Sequence, residues 1–474
     1  MSKTSDLATD LAALPVADLI HLFRTRQASP VEALQASLDR IDKLNGRYNA
    51  FCLVDRESAL AAARASEARW TKGTPLSAID GVTASIKDII LTKGWPTLRG
   101  SRSTDPQQSW NEDAPAVARL RERGAVLIGK TTTPEFGWKG VCDSPLTGIT
   151  RNPWNPERTS GGSSGGAAVA AAFGMGRLHL GTDGGGSIRI PAGFSGVFGH
   201  KPTFGLVPAY PLSMFGTVAH LGPLTGMVDD AARMLTVLAE PDDRDWHSLP
   251  YAPRDFSLGL DAGVRGLRIA LSITLGYIAG VDREIAALVQ QAAQTFAESG
   301  ATVEVRDPGF ADPFDIFKAH WFTGAANQRR AVTSDKHHLL ESGFHRVADL
   351  GEAIPHMDYI AAVNARGALG LHMQKFHRDF DILLTPTLPI AAFEVGHVAP
   401  PGWDQANWVP WTPFSFPFNL TQQPAASIPC GFTAQGLPVG LQIVGAKYRD
   451  DLVLRVARAF ESAHPIVAPP GPQS

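Results

Sequence analysis

The sequence predicts an α/β fold in which a large, mainly parallel β-sheet is covered by α-helices. Short apolar runs rich in β-branched residues alternate with longer segments whose apolar residues have helical spacing. Strand–helix–strand units of this kind favour parallel pairing, because the connecting helix packs back onto the sheet. With 474 residues, 44% of them apolar, the chain is long enough to bury a large core.

The N-terminal part of the chain predicts helices followed by a buried strand. Residues 1–50 are expected to be helical, since Ser29-Pro30-Val31-Glu32 has the capping-box pattern with proline at the first helical position. The apolar run Val82–Ile90 predicts a buried strand that contains Lys87. Beyond it the pattern predicts a helix at Ala114–Glu122, a strand at Ala125–Ile128 and a helix of small residues at 165–176.

The C-terminal half predicts another strand–helix–strand unit. Asp282 is placed to cap a helix with one apolar face, and Gly300 is expected to end that helix before a strand at Thr302–Val305. The polar stretch 239–263, rich in proline and aspartate, predicts a surface connection. The remaining strands are predicted at Leu267–Ile273, Asp381–Leu384 and Leu441–Val444, and a final helix at Leu452–Ser462.

Composition and charge exclude several classes of function. The chain has 43 basic and 46 acidic residues and a net charge of −3, so it lacks the basic excess of a nucleic-acid-binding protein and has no charge that favours a membrane surface. Its 3 cysteines, Cys52, Cys142 and Cys430, are too dispersed for a disulfide framework or a zinc site, which makes a cytoplasmic location the default. The N-terminus contains Asp6 and Asp10 and no long apolar run, so no signal peptide is predicted, and no run is long enough for a membrane span.

The most specific chemical signal lies in residues 159–203, which contain two glycine-flanked serines, Ser163 and Ser187. Glycines let backbone N–H groups approach a ligand, and a serine among such groups can attack a carbonyl while the amides hold the oxyanion. Consecutive donors for an oxyanion hole are offered by Gly184, Gly185, Gly186 and Ser187.

Lys87 is the candidate base, because serine needs one and His179 is the only histidine near the two serine motifs. An apolar strand can keep a lysine neutral by desolvation, which must lower its pKa from about 10.4 to about 7, a difference of roughly 3–5 kcal/mol. Asp88 would oppose this only if it faced the same side, and neighbours on a strand point to opposite faces. Two plainer interpretations remain open: the Gly/Ser runs could be flexible linkers, and Lys87 could be a solvated surface residue.

Two other motifs compete with this interpretation. Residues 124–131 match the phosphate-binding pattern GxxxxGK[ST], but a helix is predicted before them and their middle residues are Ala-Val-Leu-Ile, which favours a core strand. Residues 162–166 match G-x-S-x-G with Ser164 as an α/β-hydrolase nucleophile, although the preceding segment is predicted to be a loop rather than a strand. In that alternative, Asp381 followed by His397 or His464 would supply the later triad partners.

Taken together, these segments resemble the amidase signature family. The resemblance covers GVTASIKD, GAVLIGKTTTPEFG, GGSSGG and GTDGGGSIRIPAGFSGVFGHKPT, and continues through RNPWNP at 151–156, PAASIPCGF at 424–432 and LPVGLQIVG at 437–445. It implies a single α/β domain over residues 1–474, with the signature core at 81–231 and a large mixed sheet between helices. It also implies no metal or organic cofactor.

The resemblance further implies a Ser–cis-Ser–Lys triad that hydrolyses linear amides. Lys87 would be the base, Ser163 the relay after a cis peptide bond from Gly162, and Ser187 the acylated nucleophile. The spacing from position 163 to position 187 matches the family pattern, which favours Ser163 over Ser164. Two departures are visible: position 184 is glycine where relatives often have a larger residue, which predicts a looser oxyanion hole, and Thr83-Ala84-Ser85 replaces Pro-Ile-Gly-type residues.

Aromatic residues suggest the substrate. A pocket wall is predicted from Trp321, Trp403, Trp408 and Trp411, although a surface loop pinned by aromatic packing is an equally good explanation of the last three. The accompanying phenylalanines are Phe314, Phe317, Phe322, Phe414, Phe416 and Phe418. We therefore expect small aryl or hydrophobic amides as substrates, with carbamates (urethanes) and esters as further ones.

The alternative function within the same family is the glutaminase subunit of a tRNA-dependent amidotransferase. Such a subunit would need partner proteins and would act on free glutamine. The sequence does not determine an oligomeric state, and a homo-oligomer is compatible with it.

Overall fold

The structure, a computed structural model, describes residues 10–250 and 252–471 and contains one eleven-stranded sheet. In chain order the strands are β1 Phe51–Val54, β2 Thr83–Lys87, β3 Val126–Thr131, β4 Asp143–Ser144, β5 Gly148–Ile149, β6 Leu178–Asp183, β7 Phe198–Lys201, β8 His220–Thr225, β9 Arg268–Leu271, β10 Thr302–Val305, β11 Ile382–Pro386, β12 Ala425–Phe432 and β13 Pro438–Gly445. Strands β4 and β5 form a separate two-stranded sheet.

The large sheet is mixed, in the order β1-β3-β2-β6-β8-β7-β12-β13-β11-β9-β10. Parallel pairs occupy two regions, β3-β2-β6 and β11-β9-β10, which include the strand–helix–strand units that the sequence predicts. Between these regions, and at β1, the pairs are antiparallel. The predicted α/β class, a large mixed sheet between helices, is confirmed. The parallel pairing that the strand–helix–strand units predict is confined to these two regions, and those units do not predict the antiparallel centre.

Helices cover both faces of the sheet. They are α1 Val16–Thr25, α2 Pro30–Tyr48, α3 Arg56–Lys72, α4 Pro115–Glu122, α5 Gly165–Phe173, α6 Arg189–Ser195, α7 Val228–Leu238, α8 Arg283–Glu298, α9 Phe314–Ala331, α10 Ser342–Glu352, α11 His356–Phe376, α12 Pro417–Leu420 and α13 Asp450–Ala463. Within the described ranges, none of these helices combines the length and apolarity that crossing a bilayer requires.

Local chemistry explains where several helices begin. Ser29 accepts a hydrogen bond from the backbone of Glu32, and the Glu32 carboxylate accepts one from the backbone of Ser29, so the predicted capping box of α2 is confirmed. Asp282 likewise accepts from two backbone N–H groups at the start of α8. The helical N-terminal segment is present as α1 and α2, while residues 1–9, with Asp6, lie outside the described residues.

The alternation of side chains along the strands gives the sheet two apolar faces. In β11, Ile382 and Leu384 belong to the core cluster that includes α7, α8 and α13, whereas Leu383 packs into the cluster that includes α9 and the aromatic residues near position 410. The sheet is therefore buried on both sides, which explains why its strands are apolar runs rather than alternating ones.

Helix α5 packs unusually close to the sheet because it starts with glycines and continues with alanines. A Cβ at Gly166 would lie 2.4 Å from both the Ala50 carbonyl oxygen and Thr132 Oγ1, so no larger residue fits. The helix begins inside the segment GGSSGG (residues 161–166), directly after its two serines. This close contact sets the two serines of that segment against the ends of β2 and β6.

Candidate active site

Lys87 ends β2 and is sealed from solvent, with 0% of its surface exposed. Its Nζ lies 2.7 Å from Ser163 Oγ, 3.0 Å from Ser164 Oγ and 2.9 Å from Thr182 Oγ1. Burial lowers the pKa of Lys87 to about 7, against weaker opposing effects of Cys142 and Asp183. The amine is therefore neutral in a large share of molecules near pH 7, and Lys87 is not a solvated surface residue.

The hydrogen-bond directions around Lys87 follow from the partners of Ser164. The Ser164 hydroxyl donates to the backbone oxygen of Thr182 at 3.0 Å, so it can only accept from Lys87. A neutral amine keeps two N–H donors and one lone pair. If Ser164 and Thr182 accept the two N–H groups, the lone pair is left for the hydroxyl of Ser163, which can give its proton to Lys87.

Asp88 points away from this amine. Its carboxylate accepts a hydrogen bond from the backbone N–H of Leu98 at 3.2 Å and lies 3.7 Å from the Nζ of Lys130. The expectation that neighbouring side chains in this strand segment face opposite ways is confirmed, and Asp88 forms its ion pair with Lys130 instead of Lys87.

Ser163 and Ser187 line the same cavity. The Gly162–Ser163 peptide bond is cis, as the family resemblance implies. The backbone N–H of Ser164 donates to the carbonyl of Ser187 at 3.1 Å, which ties the two serine segments together. Within the part of the chain that the structure describes, the Ser187 hydroxyl has no hydrogen-bond partner, so it is free to face a bound molecule.

The loop that contains Ser187 is organised by a buried carboxylate, Asp183. Asp183 accepts from the backbone N–H of Gly186 at 2.8 Å and of Ile188 at 3.2 Å, and it forms an ion pair with Arg189 at 2.9 Å. Burial by itself would raise the pKa of Asp183, but Arg189 and further hydrogen bonds hold it well below its usual range. A permanent negative charge therefore fixes the backbone around the serine.

This arrangement corrects one member of the predicted oxyanion hole. The N–H of Gly186 is directed to Asp183, so it is not available to a substrate. Among the described residues, the backbone N–H groups of Gly184, Gly185 and Ser187 have no such partner. These three amides are the candidate donors, and two of their residues, Gly184 and Ser187, also line the cavity.

The cavity has a volume of about 200 Å³ and walls that are mainly apolar. One part of the wall comes from the segment after β2 and from Phe136, and most of the rest comes from the loop between β7 and β8. Apolar and aromatic lining residues include Ile89, Leu91, Phe136, Phe204, Val207, Tyr210, Leu212, Met214, Phe215 and Trp321. A site of this kind is suited to a small hydrophobic ligand.

Of the four tryptophans predicted for the pocket, only Trp321 lies in this lining. Trp408 and Trp411 are buried in the core behind it, Trp403 is exposed, and Trp408 contacts Trp321 edge-on with ring centroids 5.3 Å apart. The expectation that Trp403, Trp408 and Trp411 line the pocket is therefore wrong. Trp408 and Trp411 are buried in the core instead, as large aromatic side chains are when space allows, and Trp403 lies in solvent outside the lining. The phenylalanines named with them are also absent from the lining.

Gly184 does not leave a gap, which corrects the expected looser hole. A Cβ at position 184 would lie 2.9 Å from Cζ3 of Trp321, so the indole ring occupies the space that a larger residue would fill. Trp321 in turn stacks on Phe215, with ring centroids 3.5 Å apart and planes 4° from parallel. We call residues 184–187 the candidate oxyanion loop, and Phe136, Phe215 and Trp321 the aromatic wall of the cavity. Trp321 thus brings the aromatic wall into direct contact with the oxyanion loop.

The two competing motifs have structural explanations. Residues Val126–Thr131 form strand β3, and Lys130 is buried with its Nζ donating to the Ile90 carbonyl and to Thr97 Oγ1, both at 2.7 Å, so these residues form no exposed phosphate loop. Ser164 starts helix α5 after a loop, is fully buried and is not in the cavity lining. The α/β-hydrolase interpretation needs an exposed serine after a strand, and that context is missing.

Three residues of the site were not predicted from the sequence: Thr182, Asp183 and Arg189. All three lie in or beside the recognised glycine-rich segment, and an aspartate and an arginine so close together within an apolar stretch are a signal of a buried ion pair. Arg189 also donates to three oxygen atoms from later in the chain, on Ser415, Asn419 and Gln442. Those contacts join segments more than 200 residues apart and have no local signature.

Comparisons with known proteins find relatives over nearly the whole chain. The family model described as Amidase matches residues 32–454. An acylamidase of Rhodococcus erythropolis is 36% identical over 92% of this chain and 92% of its own length. A glutamyl-tRNA(Gln) amidotransferase subunit of Myxococcus xanthus is 37% identical over 96% of this chain and 98% of its own.

Solved structures give the same result. A bacterial aryl acylamidase of the amidase signature family superposes with a TM-score of 0.88 at 30% identity, covering 95% of this chain and 96% of that one. A 6-aminohexanoate cyclic dimer hydrolase superposes with a TM-score of 0.87 at 28% identity, covering 96% and 97%. The chain therefore belongs to the amidase family of hydrolases that act on carbon–nitrogen bonds.

Proposed function

We propose that this protein hydrolyses small linear amides through an acyl-enzyme on Ser187, with Ser163 and Lys87 as the proton relay. The observation that supports this most strongly is the 2.7 Å contact between Lys87 Nζ and Ser163 Oγ, next to a cavity that Ser187 shares. A buried amine whose pKa burial lowers to about 7 has the basicity that a general base needs near neutral pH.

In the proposed reaction, the amine of Lys87 takes the proton of Ser163 while Ser163 takes that of Ser187. The Ser187 oxygen then forms a bond to the substrate carbonyl carbon, and the carbonyl oxygen becomes an oxyanion. When the carbon–nitrogen bond breaks, the relay returns the proton to the leaving amine. Water attacks the ester by the same route and releases the carboxylic acid and free Ser187.

The oxyanion would be held by backbone N–H groups of Gly184, Gly185 and Ser187. Amides that are fixed before the reaction stabilise charge as it develops, and removing one such donor costs about 10²–10³ in rate in other enzymes. The Asp183 carboxylate supports this role, because it fixes the backbone on both sides of Ser187.

For the substrate we propose aryl or hydrophobic amides, with carbamates and esters as further substrates. The apolar lining, with Phe136, Phe215 and Trp321, favours an aromatic group. Carbamates and esters present the same carbonyl to Ser187 and differ in the atom that leaves. Comparing an anilide, an aryl carbamate and a small aliphatic amide tests this, and a preference for the aliphatic amide contradicts it.

A second candidate is the glutaminase function of a tRNA-dependent amidotransferase. It is favoured by the 37% identity to the Myxococcus xanthus protein, which extends over nearly the full length of both chains. Release of ammonia from free glutamine, with no turnover of anilides, would favour this candidate over the first.

The central test is labelling with phenylmethylsulfonyl fluoride, followed by peptide mass spectrometry. We expect one adduct on Ser187 and no labelling of Ser187→Ala. The matched control is Ser164→Ala, since Ser164 has the same chemistry and lies beside Lys87 but outside the cavity lining. An adduct on Ser164, or labelling that Ser187→Ala does not abolish, would overturn the proposed mechanism.

A further inference from the structure

Arg99 lines the same cavity as Ser163 and Ser187, and among the described residues its side chain has no hydrogen-bond or ion-pair partner. In the described ranges no carboxylate lies within ion-pair distance of its guanidinium, and the guanidinium donates no hydrogen bond. The residue is only partly exposed, and burial lowers the pKa of Arg99 despite a weak opposing effect of Asp88. Partly desolvated arginines are normally paired, because an unpaired buried charge is costly.

The backbone holds Arg99 firmly at this position. Its φ of 59° is in the left-handed region, which residues other than glycine rarely adopt. The neighbouring N–H of Leu98 donates to the Asp88 carboxylate at 3.2 Å, and the Arg99 carbonyl accepts from the N–H of Phe136 at 2.7 Å. Arg99 is therefore fixed between the strand end that contains Lys87 and the aromatic wall.

The nearby carboxylates are already occupied. Asp88 is engaged by Leu98 and by Lys130 at 3.7 Å. Asp245, the carboxylate in the cavity lining, accepts from the backbone N–H groups of Ala209 and His247, both at 2.9 Å. Among the described residues, the positive charge of Arg99 is thus left without an ion-pair partner, with Asp88 acting on it only from a longer distance, in a cavity whose other walls are mainly apolar.

We propose that Arg99 is a specificity-determining residue that binds an ionised carboxylate on the substrate. This rests on the proposed function and narrows its substrate class to amides that also contain a carboxylate, such as the monoanilide of a short dicarboxylic acid. The planar guanidinium can donate two parallel hydrogen bonds to a carboxylate, which gives both affinity and orientation. The apolar walls would then contact the remainder of the substrate.

The test compares substrates that differ only in the carboxylate. Succinanilic acid has the carboxylate on the acyl side of the amide, and 4-butyramidobenzoate has it on the amine side. Butyranilide lacks the carboxylate and is the reference for both. For the wild type we expect kcat/KM to be about 10- to 100-fold higher for at least one carboxylated substrate than for butyranilide, as expected for charge-assisted hydrogen bonds. This preference needs no variant, so it is decisive even if a variant folds poorly.

In Arg99→Met we expect the ratio of kcat/KM for the carboxylated substrate to that for butyranilide to fall to about one. In Arg99→Lys we expect part of the preference to be kept, because the positive charge remains but the two parallel N–H donors are lost. The matched control is Arg102→Met, which removes the same charge from the same loop at an exposed position outside the cavity lining. It should keep the wild-type preference. Thermal unfolding of each variant shows that it is folded.

Two failures can be told apart. If butyranilide is hydrolysed but neither carboxylate raises kcat/KM, or if Arg99→Met keeps the preference, the role of Arg99 is overturned while the amidase function stands. If no anilide is hydrolysed and phenylmethylsulfonyl fluoride does not label Ser187, the proposed function itself fails, and the inference fails with it.

Discussion

The neutral amine of Lys87 should make hydrolysis depend on pH. The base works only when unprotonated, so kcat/KM for a neutral substrate should fall as the pH decreases through the pKa of Lys87. With that pKa lowered to about 7 by burial, the neutral fraction is about one tenth at pH 6, about half at pH 7 and about nine tenths at pH 8. An ordinary lysine would be neutral in less than about 1% of molecules at pH 8.

The assay is the initial rate of butyranilide hydrolysis from pH 5.5 to 9, since this substrate does not titrate there and kcat/KM then reports the free enzyme. Lys87→Met should lower kcat/KM by about 10²–10⁴-fold, the usual contribution of a general base. The reasoning is refuted if the acid limb has its midpoint near 10, or if Lys87→Met stays within tenfold of the wild type.

A second buried group titrates in the same range, and it provides the control. Burial raises the pKa of Glu135 to about 7, and its carboxylate accepts from Ser101 Oγ and from the backbone N–H of Glu341, both at 2.7 Å. Glu135 is not in the cavity lining. Glu135→Gln keeps the shape and removes the titration, so the acid limb should persist in this variant, and its loss would assign the limb to Glu135.

Two further predictions test the packing around the oxyanion loop. Gly184→Ala should lower the free energy of unfolding by about 1–3 kcal/mol, because its Cβ would lie 2.9 Å from the Trp321 ring and overpack this contact. It should also reduce kcat/KM, because the backbone amide of residue 184 has to shift to relieve the contact. Adding Trp321→Phe should restore part of both losses, and a Gly184→Ala variant with wild-type stability and rate would contradict the contact. Asp183→Asn should lower the free energy of unfolding in urea by about 3–5 kcal/mol, since it leaves Arg189 buried without its ion-pair partner at 2.9 Å; a loss below about 1 kcal/mol would show that the charge is compensated elsewhere.

Much of the secondary structure was predictable because it depends on neighbours in the sequence. The capping box at Ser29, the cap at Asp282 and the buried strand with Lys87 each follow from a pattern a few residues long, and each is present. The antiparallel centre of the sheet was not predictable in this way. Strands β8, β7 and β12 pair through contacts whose partners are distant in sequence, as with Ala425 opposite Lys201.

The sequence likewise could not predict which aromatic side chains line the cavity. Trp408 and Trp411 are no less aromatic than Trp321, and composition alone offers no means to choose among them. Their burial in the core depends on how the region near position 410 packs against α9, and only Trp321 is left at the cavity. The loop between β7 and β8, which forms the largest single part of the wall, has no motif that marks it.

The sequence by itself determined the α/β class, the family, and the lysine and serines brought together beside the cavity, because these depend on short motifs whose residues the chemistry requires. The tertiary structure alone decided which backbone amides remain free, which aromatic ring meets the oxyanion loop, and that Arg99 faces the cavity without a counter-ion among the described residues. The physical reason is that a donor is free, or a charge unpaired, only when no other part of the chain places a partner beside it. That depends on the whole fold, since segments far apart in sequence supply or withhold the partners.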